Sequence, residues 1–307
     1  MKNKFYSNGK LLISGEYVVL DGALSLAVPT TYGQSLSVEA IDASNIIWNS
    51  LGDDGMSWFQ NTFEYDTNGQ LKHIQNDEIS GKIVEILTAA QLLNPNFLNN
   101  KQGYRITTSL TFPRDWGLGT SSTLINNIAQ WAQVDPYILL EKTFGGSGYD
   151  IACAQHDQPI CYHLQEGKPK VEIVEFNPSF KEHLYFVYLN RKQNSRDGIL
   201  AYRTKHKKDL NAAILNINKI TTQMLDCKSL EDFESLIVSH ETIISKMIDL
   251  QPIKHTQFSD FNGQVKSLGA WGGDFIMATC KTNPTPYFKS KGFNTIIPYN
   301  DMVLMKV

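Results

Sequence analysis

Apolar and polar residues alternate with a period near two over residues 10–20 and again over 24–41, which predicts two strands joined at Asp21-Gly22, a hairpin-type turn. Trp48, Trp58, Phe59, Phe63 and Tyr65, spaced by Gly, Asp and Asn residues, predict a further meander. The period then changes. Ile79, Ile83, Ile86, Leu87 and Ala90 fall on one helical face, so a helix is expected over 78–93, ended by Pro95. Tyr104 to Phe112 alternates as a strand, and an apolar helix follows from about Ser121 to Gln133. Asp135-Pro136 pairs a capping residue with proline at the first helical position and opens a helix over about 136–144. Gly145-Gly146-Ser147-Gly148 stops it.

Residues 159–176 read as a hairpin turning at Glu166-Gly167, and His183 to Leu189 as a buried strand. Three amphipathic patterns predict helices at about 197–226, 229–239 and 240–250. Phe275-Ile276-Met277-Ala278 and Thr295-Ile296-Ile297-Pro298 predict late strands. Strands early, helices in the middle and strands late in each half indicate an α+β chain of two domains. The pattern breaks best at 175–183, around Asn177-Pro178-Ser179, giving domains 1–178 and 179–307.

A length of 307 residues accommodates two ordinary domains, and 42% hydrophobic residues suffice for two cores. A net charge of -3 gives no reason to expect nucleic acid or an anionic membrane as partner. No stretch has the length and apolarity of a membrane span, and the first ten residues lack an apolar signal core. Cys153, Cys161, Cys227 and Cys280 are scattered without a Cys-x-x-Cys, as expected of buried thiols in a reducing cytoplasm.

Four clusters carry candidate chemistry. Phe112-Pro113-Arg114-Asp115-Trp116-Gly117-Leu118-Gly119-Thr120-Ser121-Ser122-Thr123 joins a strand to a helix through two glycines and a run of hydroxyls. Glycines let backbone approach a ligand, and a helix start offers N–H groups and a positive dipole end, so the segment suits phosphate. It is not a Walker loop, because that motif's lysine is missing. Gly145-Gly146-Ser147-Gly148-Tyr149-Asp150 presents one acid at the start of a helix, suited to accept or orient a hydroxyl proton; a plain helix cap is the alternative. Ser267-Leu268-Gly269-Ala270-Trp271-Gly272-Gly273-Asp274 is a second close-approach loop or a tight turn. Asn8-Gly9-Lys10 to Gly15-Glu16-Tyr17 places a lysine, a carboxylate and a phenol in an apolar run; Glu16 there is either paired in the interior or in water on an edge strand. His240 and His255 have no ligand-spaced partners and read as surface or helix histidines.

These clusters, in this order, resemble the four motif segments of the GHMP kinases, the superfamily named for galactokinase, homoserine kinase, mevalonate kinase and phosphomevalonate kinase. The resemblance spans nearly the whole chain, and Pro113 to Ser122 is its specific part. It implies a two-domain α+β fold with a ribosomal protein S5 domain 2-like N-terminal domain and a ferredoxin-like C-terminal domain. It implies ATP and Mg²⁺ as cofactors, with Gly117, Leu118, Gly119, Thr120, Ser121 and Ser122 at the nucleotide. Ser121 and Glu141 would be metal ligands, although Glu141 stands closer to Asp150 than the mevalonate kinase pattern has it. Lys10 and Asp150 would be catalytic, Lys10 for charge on the phosphoryl group and Asp150 for the acceptor hydroxyl.

Gly15-Glu16-Tyr17 and Gly272-Gly273-Asp274 are similar to phosphomevalonate kinases more than to mevalonate kinases. Asn190-Arg191-Lys192-Gln193-Asn194-Ser195-Arg196-Asp197 leans the same way, since an acceptor already carrying phosphate needs such groups, or it is a solvated basic loop. Glu16, Tyr17, Ser147, Ser195, Arg196, Gly272 and Gly273 are thus the expected substrate contacts. The sequence departs from the pattern at Trp271, where a small residue is usual, and at Ser122-Thr123, where Ala-Ala is common. The expected protein is a cytoplasmic enzyme acting on a small molecule, as monomer or homodimer. A diphosphomevalonate decarboxylase-like enzyme and a non-catalytic ligand-binding protein of the same fold are the alternatives.

Overall fold

The structure, a computed structural model, describes residues 2–305 except 68, 75–76 and 206–208, with the backbone alone at His73 and Ser195. Strand β1 (Lys2–Leu12) leads through a 3₁₀ turn (Val18–Asp21) into the long β2 (Ser25–Ile41). There follow β3 (Asn45–Leu51), β4 (Ser57–Tyr65), β5 (Leu71–His73), α1 (Glu78–Leu93), β6 (Gly103–Leu110), α2 (Thr120–Ala132), α3 (Pro136–Thr143) and α4 (Tyr149–Gln155). The remainder holds β7 (Ile160–Gln165), β8 (Lys168–Ile173), β9 (Leu184–Tyr188), α5 (Ser195–Thr204), α6 (Leu210–Asp226), α7 (Leu230–Ile248) and α8 (Ile253–Thr256). It closes with β10 (Val265–Ser267), β11 (Phe275–Thr279), α9 (Thr285–Ser290), β12 (Ile296–Pro298) and α10 (Tyr299–Met302).

Two compact units are formed, one of Met1–Gly9, Tyr32–Arg114 and Leu118–Gln155, the other of Lys10–Thr31, Asp115–Gly117 and His156–Val307. In the first unit, residues 34–41 of β2 pair antiparallel with β6, β6 runs parallel to β3, and β3, β4 and β5 form an antiparallel meander. Val38, Trp48, Phe63 and Ile106 from the strands pack on Ile83, Ile86, Ile125, Ile128, Leu139 and Ile151 from α1 to α4. Each such buried side chain contributes about 1.5–3 kcal/mol by leaving water. The cap residues act as their chemistry dictates: Asp77 accepts from Ser80 N, and Asp135 accepts from Tyr137 N and Ile138 N.

In the second unit the sheet order is β10-β11-β9-β12, all antiparallel. Helices α5 to α8 separate its first and second strands and α9 its third and fourth, which is the βαββαβ order of a ferredoxin-like domain. The hairpin β7–β8 turns at Glu166 (φ 52°) and Gly167 (φ 75°), both left-handed as the tight hairpin turn requires, and β7 pairs with residues 25–27 of β2. The α+β class is therefore as expected from the sequence. Among the described residues no helix is long and apolar enough to cross a membrane. None of the four cysteines forms a disulfide; three are buried and Cys227 is partly so.

Several element boundaries differ from the sequence expectation. Residues 13–24 are not strand. Gly15 (φ 89°) packs too tightly on Ser25 for any side chain, so the chain turns there and the apolar Val18 and Val19 are buried in the 3₁₀ turn. The helix expected over 197–226 is two helices, α5 and α6, with Asp209 in the left-handed region before the second. The pair expected over 229–250 is the single helix α7, because nothing between Ile237 and Ile244 breaks its apolar period.

Candidate functional site

The glycine motif is built from its buried ends inward. In the first unit, Phe112 precedes the loop and Leu118 follows its first glycine, both with no exposed surface. Gly119 (φ 97°) is the N-cap of α2 and has no side chain to cap it, unlike Asp77 and Asp135 on the neighbouring helices. The first N–H groups of α2 are thus left for the loop or a ligand. Ser122 Oγ donates to Gly119 O at 2.9 Å, and Thr123 Oγ1 donates to the same oxygen at 3.0 Å. Ser122 is buried and its hydroxyl is used internally, whereas Ser121 is exposed at the helix start and Thr120 is half-buried. Leu118 is an anchor whose side chain belongs to the interior.

In the same unit, Gly145, Gly146 and Gly148 are all left-handed and lead into α4. Gly148 O accepts from Ile151 N at 3.0 Å and Ala152 N at 3.1 Å, which places Asp150 inside the first turn rather than at the cap. Asp150 is half-buried and Ser147 buried. α4 packs on α2, and α3 packs on α2 and carries Glu141 on its exposed side. Among the described residues no group of three or more His, Cys, Asp or Glu is arranged to hold a metal ion.

In the second unit, Lys10 Nζ donates to Gly117 O at 3.1 Å. Gly117 (φ 69°) lies against Asp274, whose carboxylate fills the space a Cβ would need. Asp274, itself left-handed (φ 53°), donates its N–H to Arg191 O at 2.7 Å and accepts from Gln193 N at 3.0 Å. Gly273 approaches Arg191 O so closely that a Cβ would stand 2.7 Å from it. Gly117 and the Gly269–Asp274 loop are thus in contact through Asp274. Burial pushes the Asp274 carboxyl above its ordinary pKa, against the lowering pull of Gln193 N–H, Lys10 and Lys192. Asn194 caps α5 through Arg196 N at 3.1 Å; Arg196 is exposed, while the side chain of Ser195 lies outside the described residues.

Glu16 is in the interior, not in water. Its Oε1 accepts from Lys266 Nζ, and its Oε2 is 3.1 Å from His240 Nε2. Gly15 N also donates to His240 Nε2, at 3.0 Å. Glu241 joins the group: its Oε1 is 3.7 Å from Lys266 Nζ and 3.9 Å from His240 Nδ1, and its Oε2 accepts from Ser267 N at 3.2 Å. Burial alone would raise the Glu16 pKa, but Lys266 and His240 outweigh it and hold the carboxyl below the ordinary range. Tyr17 (φ 64°) accepts from Trp271 N at 3.2 Å, and burial raises its phenol.

Lys266, His240 and Glu241 were not singled out by motif spacing, and Asp274 only as the end of a glycine-rich loop. Lys266 was discoverable in principle, since a buried carboxylate at Glu16 demands a cation. His240 carried no signal, because Gly15 and Glu16 lie more than 200 residues away in sequence.

No protein-family model matches the chain, and no curated protein matches it. Solved structures do. The mevalonate kinase of Methanococcus jannaschii superposes with a TM-score of 0.70 at 15% identity, over 100% of this chain and 99% of that one. The Streptococcus pneumoniae phosphomevalonate kinase in complex with phosphomevalonate and AMPPNP gives 0.65 at 14%, over 99% and 98%. The Lactococcus lactis galactokinase complexed with galactose gives 0.68 at 11%, over 99% and 93%. The chain has the fold of the GHMP kinases.

Proposed function

We propose that this chain is an ATP-dependent small-molecule kinase that transfers the γ-phosphoryl group to phosphomevalonate or a related alcohol or phosphate of the mevalonate pathway. The observation that carries this reading is the start of α2, where a left-handed glycine replaces a capping side chain and Ser121 is exposed. Such a start fits a phosphate, and an oxygen donor beside it fits Mg²⁺. ATP supplies the phosphoryl group and Mg²⁺ offsets its charge. The N–H groups of Thr120, Ser121 and Ser122 bind phosphate oxygens, and Leu118 keeps the loop in place from the interior. Ser121 and Glu141 are the proposed metal ligands. Asp150 orients the acceptor hydroxyl and takes its proton, and Lys10 stabilises charge on the group in transfer. Tyr17, Ser147, Ser195, Arg196, Gly272 and Gly273 are proposed to contact the acceptor, with Glu16 acting from behind Tyr17.

Support for the acceptor class comes from Gly15-Glu16-Tyr17, from the basic run after β9 and from the phosphomevalonate bound in the Streptococcus pneumoniae neighbour. The test is ADP release by the full chain with Mg²⁺, ATP and a panel of mevalonate-pathway intermediates, homoserine and sugars. Phosphomevalonate-dependent ADP release is the expected result. ADP release with a sugar alone would move the acceptor class, and release of carbon dioxide would move the reaction to the decarboxylase.

A further inference from the structure

The buried group around Glu16 has a feature that ion pairing alone does not explain. His240 Nε2 has two neighbours with opposite demands: Gly15 N–H, at 3.0 Å, needs a lone pair, and Glu16 Oε2, at 3.1 Å, needs a proton. Only one can be served at a time. The charges are also uneven. Glu16 and Glu241 bring two carboxylates and Lys266 one ammonium, and all the side chains concerned, with His240, are essentially without exposed surface. Among the described residues Glu16 Oε2, Glu241 Oε1 and His240 Nδ1 have no hydrogen-bond partner. A proton on His240 would balance the group and supply Glu16, at the expense of the Gly15 bond.

The segment held this way is under backbone strain. Gly15 and Tyr17 are both left-handed, Tyr17 without glycine's freedom. Fastenings surround it: Ser14 Oγ lies 2.8 Å from Thr221 Oγ1 on α6, and Lys266 on β10 holds Glu16. Tyr17 in turn takes the Trp271 N–H, and its hydroxyl stands where a side chain at residue 198 would come within 3.0 Å. The position of Tyr17 therefore sets the position of the Gly269–Gly273 loop at Trp271.

We propose that His240, on a helix that carries none of the sequence motifs, is a positioning residue for the acceptor side of this site: it holds the Gly15–Glu16–Tyr17 turn, and through Tyr17 the Trp271 loop. The acceptor part of this statement rests on the kinase reading; the hydrogen-bond part does not.

The test uses the full chain with His240→Gln and His240→Leu. A glutamine amide can accept from Gly15 and donate to Glu16 together; leucine does neither. Amide hydrogen exchange at Gly15, Glu16, Tyr17 and Trp271 is followed at one pH in the unmodified chain and both variants, corrected for the intrinsic rate. His240→Gln should keep the protection of the unmodified chain, and His240→Leu should lose it several-fold. In kinetics, His240→Leu should raise KM for the acceptor about tenfold with KM for ATP unchanged, and His240→Gln should restore it. Unchanged protection at Gly15 and Trp271 in folded His240→Leu overturns the proposal. So does loss of protection at Gly15 and Trp271 in folded His240→Gln, a comparison that decides the matter even if His240→Leu does not fold. A chain that releases no ADP with any acceptor defeats the kinase reading and leaves the exchange result to decide the positioning role.

Discussion

The carboxylate of Asp274 occupies the space beside Gly117 that a side chain at residue 117 would need. Two motifs more than 150 residues apart in sequence are thereby in direct contact, and the same aspartate ties down Arg191 O and Gln193 N. Lys10, which donates to Gly117 O, completes the arrangement. The first glycine of the Gly117–Ser122 segment is therefore required by a contact with an acid as well as by its left-handed backbone.

Gly117→Ala should be costly for both reasons. Alanine at φ 69° costs about 1–2 kcal/mol in backbone strain before any collision with Asp274. The expected outcome is a lower thermal midpoint and a large loss of ATP affinity by calorimetry. The pair Gly117→Ala with Asp274→Gly should recover part of the stability, since it removes the collision but not the strain. Wild-type ATP affinity in the single variant would show that this loop does not bind the nucleotide.

The raised pKa of Asp274 has a definite sign. Burial favours the neutral acid in the folded state, so the folded chain holds this proton more tightly than the unfolded one. That stability is fully present below the unfolded carboxyl pKa and is lost as pH rises through the raised folded value. Asp274→Asn keeps an acceptor for Gln193 N and removes the titration. Its stability, measured by urea unfolding across that window, should fall less with rising pH than that of the unmodified chain. Parallel pH profiles for the two would refute the shift.

Much of this architecture was legible beforehand. Asp135 caps its helix where its chemistry places it, and the Glu166-Gly167 turn is where the alternation breaks. The four motifs were visible because each is a local run of glycines and polar residues. Hidden features were those made by distant partners. Glu16 looked the same on paper whether it faced Lys266 or water, and His240 looked like any helix histidine. The strand expected over 10–20 failed because the packing of Gly15 on Ser25, not the alternation, decides that turn.

The neighbouring hydroxyls of α2 should behave differently. Ser121 is exposed and Ser122 is spent on Gly119 O. Ser121→Ala should spare ATP binding and reduce turnover, with a higher Mg²⁺ requirement. Ser122→Ala should lose about 1 kcal/mol of stability, the ordinary worth of one hydrogen bond, with turnover little changed. Equal turnover losses in the two variants would remove Ser121 from the metal.

Asp150 gives the sharpest comparison. It lies within the first turn of α4, where Gly148 O already takes the N–H groups of Ile151 and Ala152. A carboxylate there gains a modest stabilisation from the helix dipole, about 0.3–1 kcal/mol. If that were its whole role, Asp150→Asn would change turnover little, since the amide keeps the shape and much of the hydrogen bonding. If instead Asp150 orients and deprotonates the acceptor hydroxyl as proposed, it cannot be replaced by an amide, which takes no proton. Asp150→Asn should then keep ATP affinity and fold, and lose about 10²–10⁴ in turnover. Asp150→Glu should recover little, because an added methylene moves the carboxylate out of reach of a hydroxyl fixed elsewhere in the site. Thermal midpoint, calorimetric ATP affinity and steady-state turnover measured on the same preparations separate the two roles. A near-normal rate for Asp150→Asn with the true acceptor would leave Lys10 and the metal to carry the transfer without a carboxylate base.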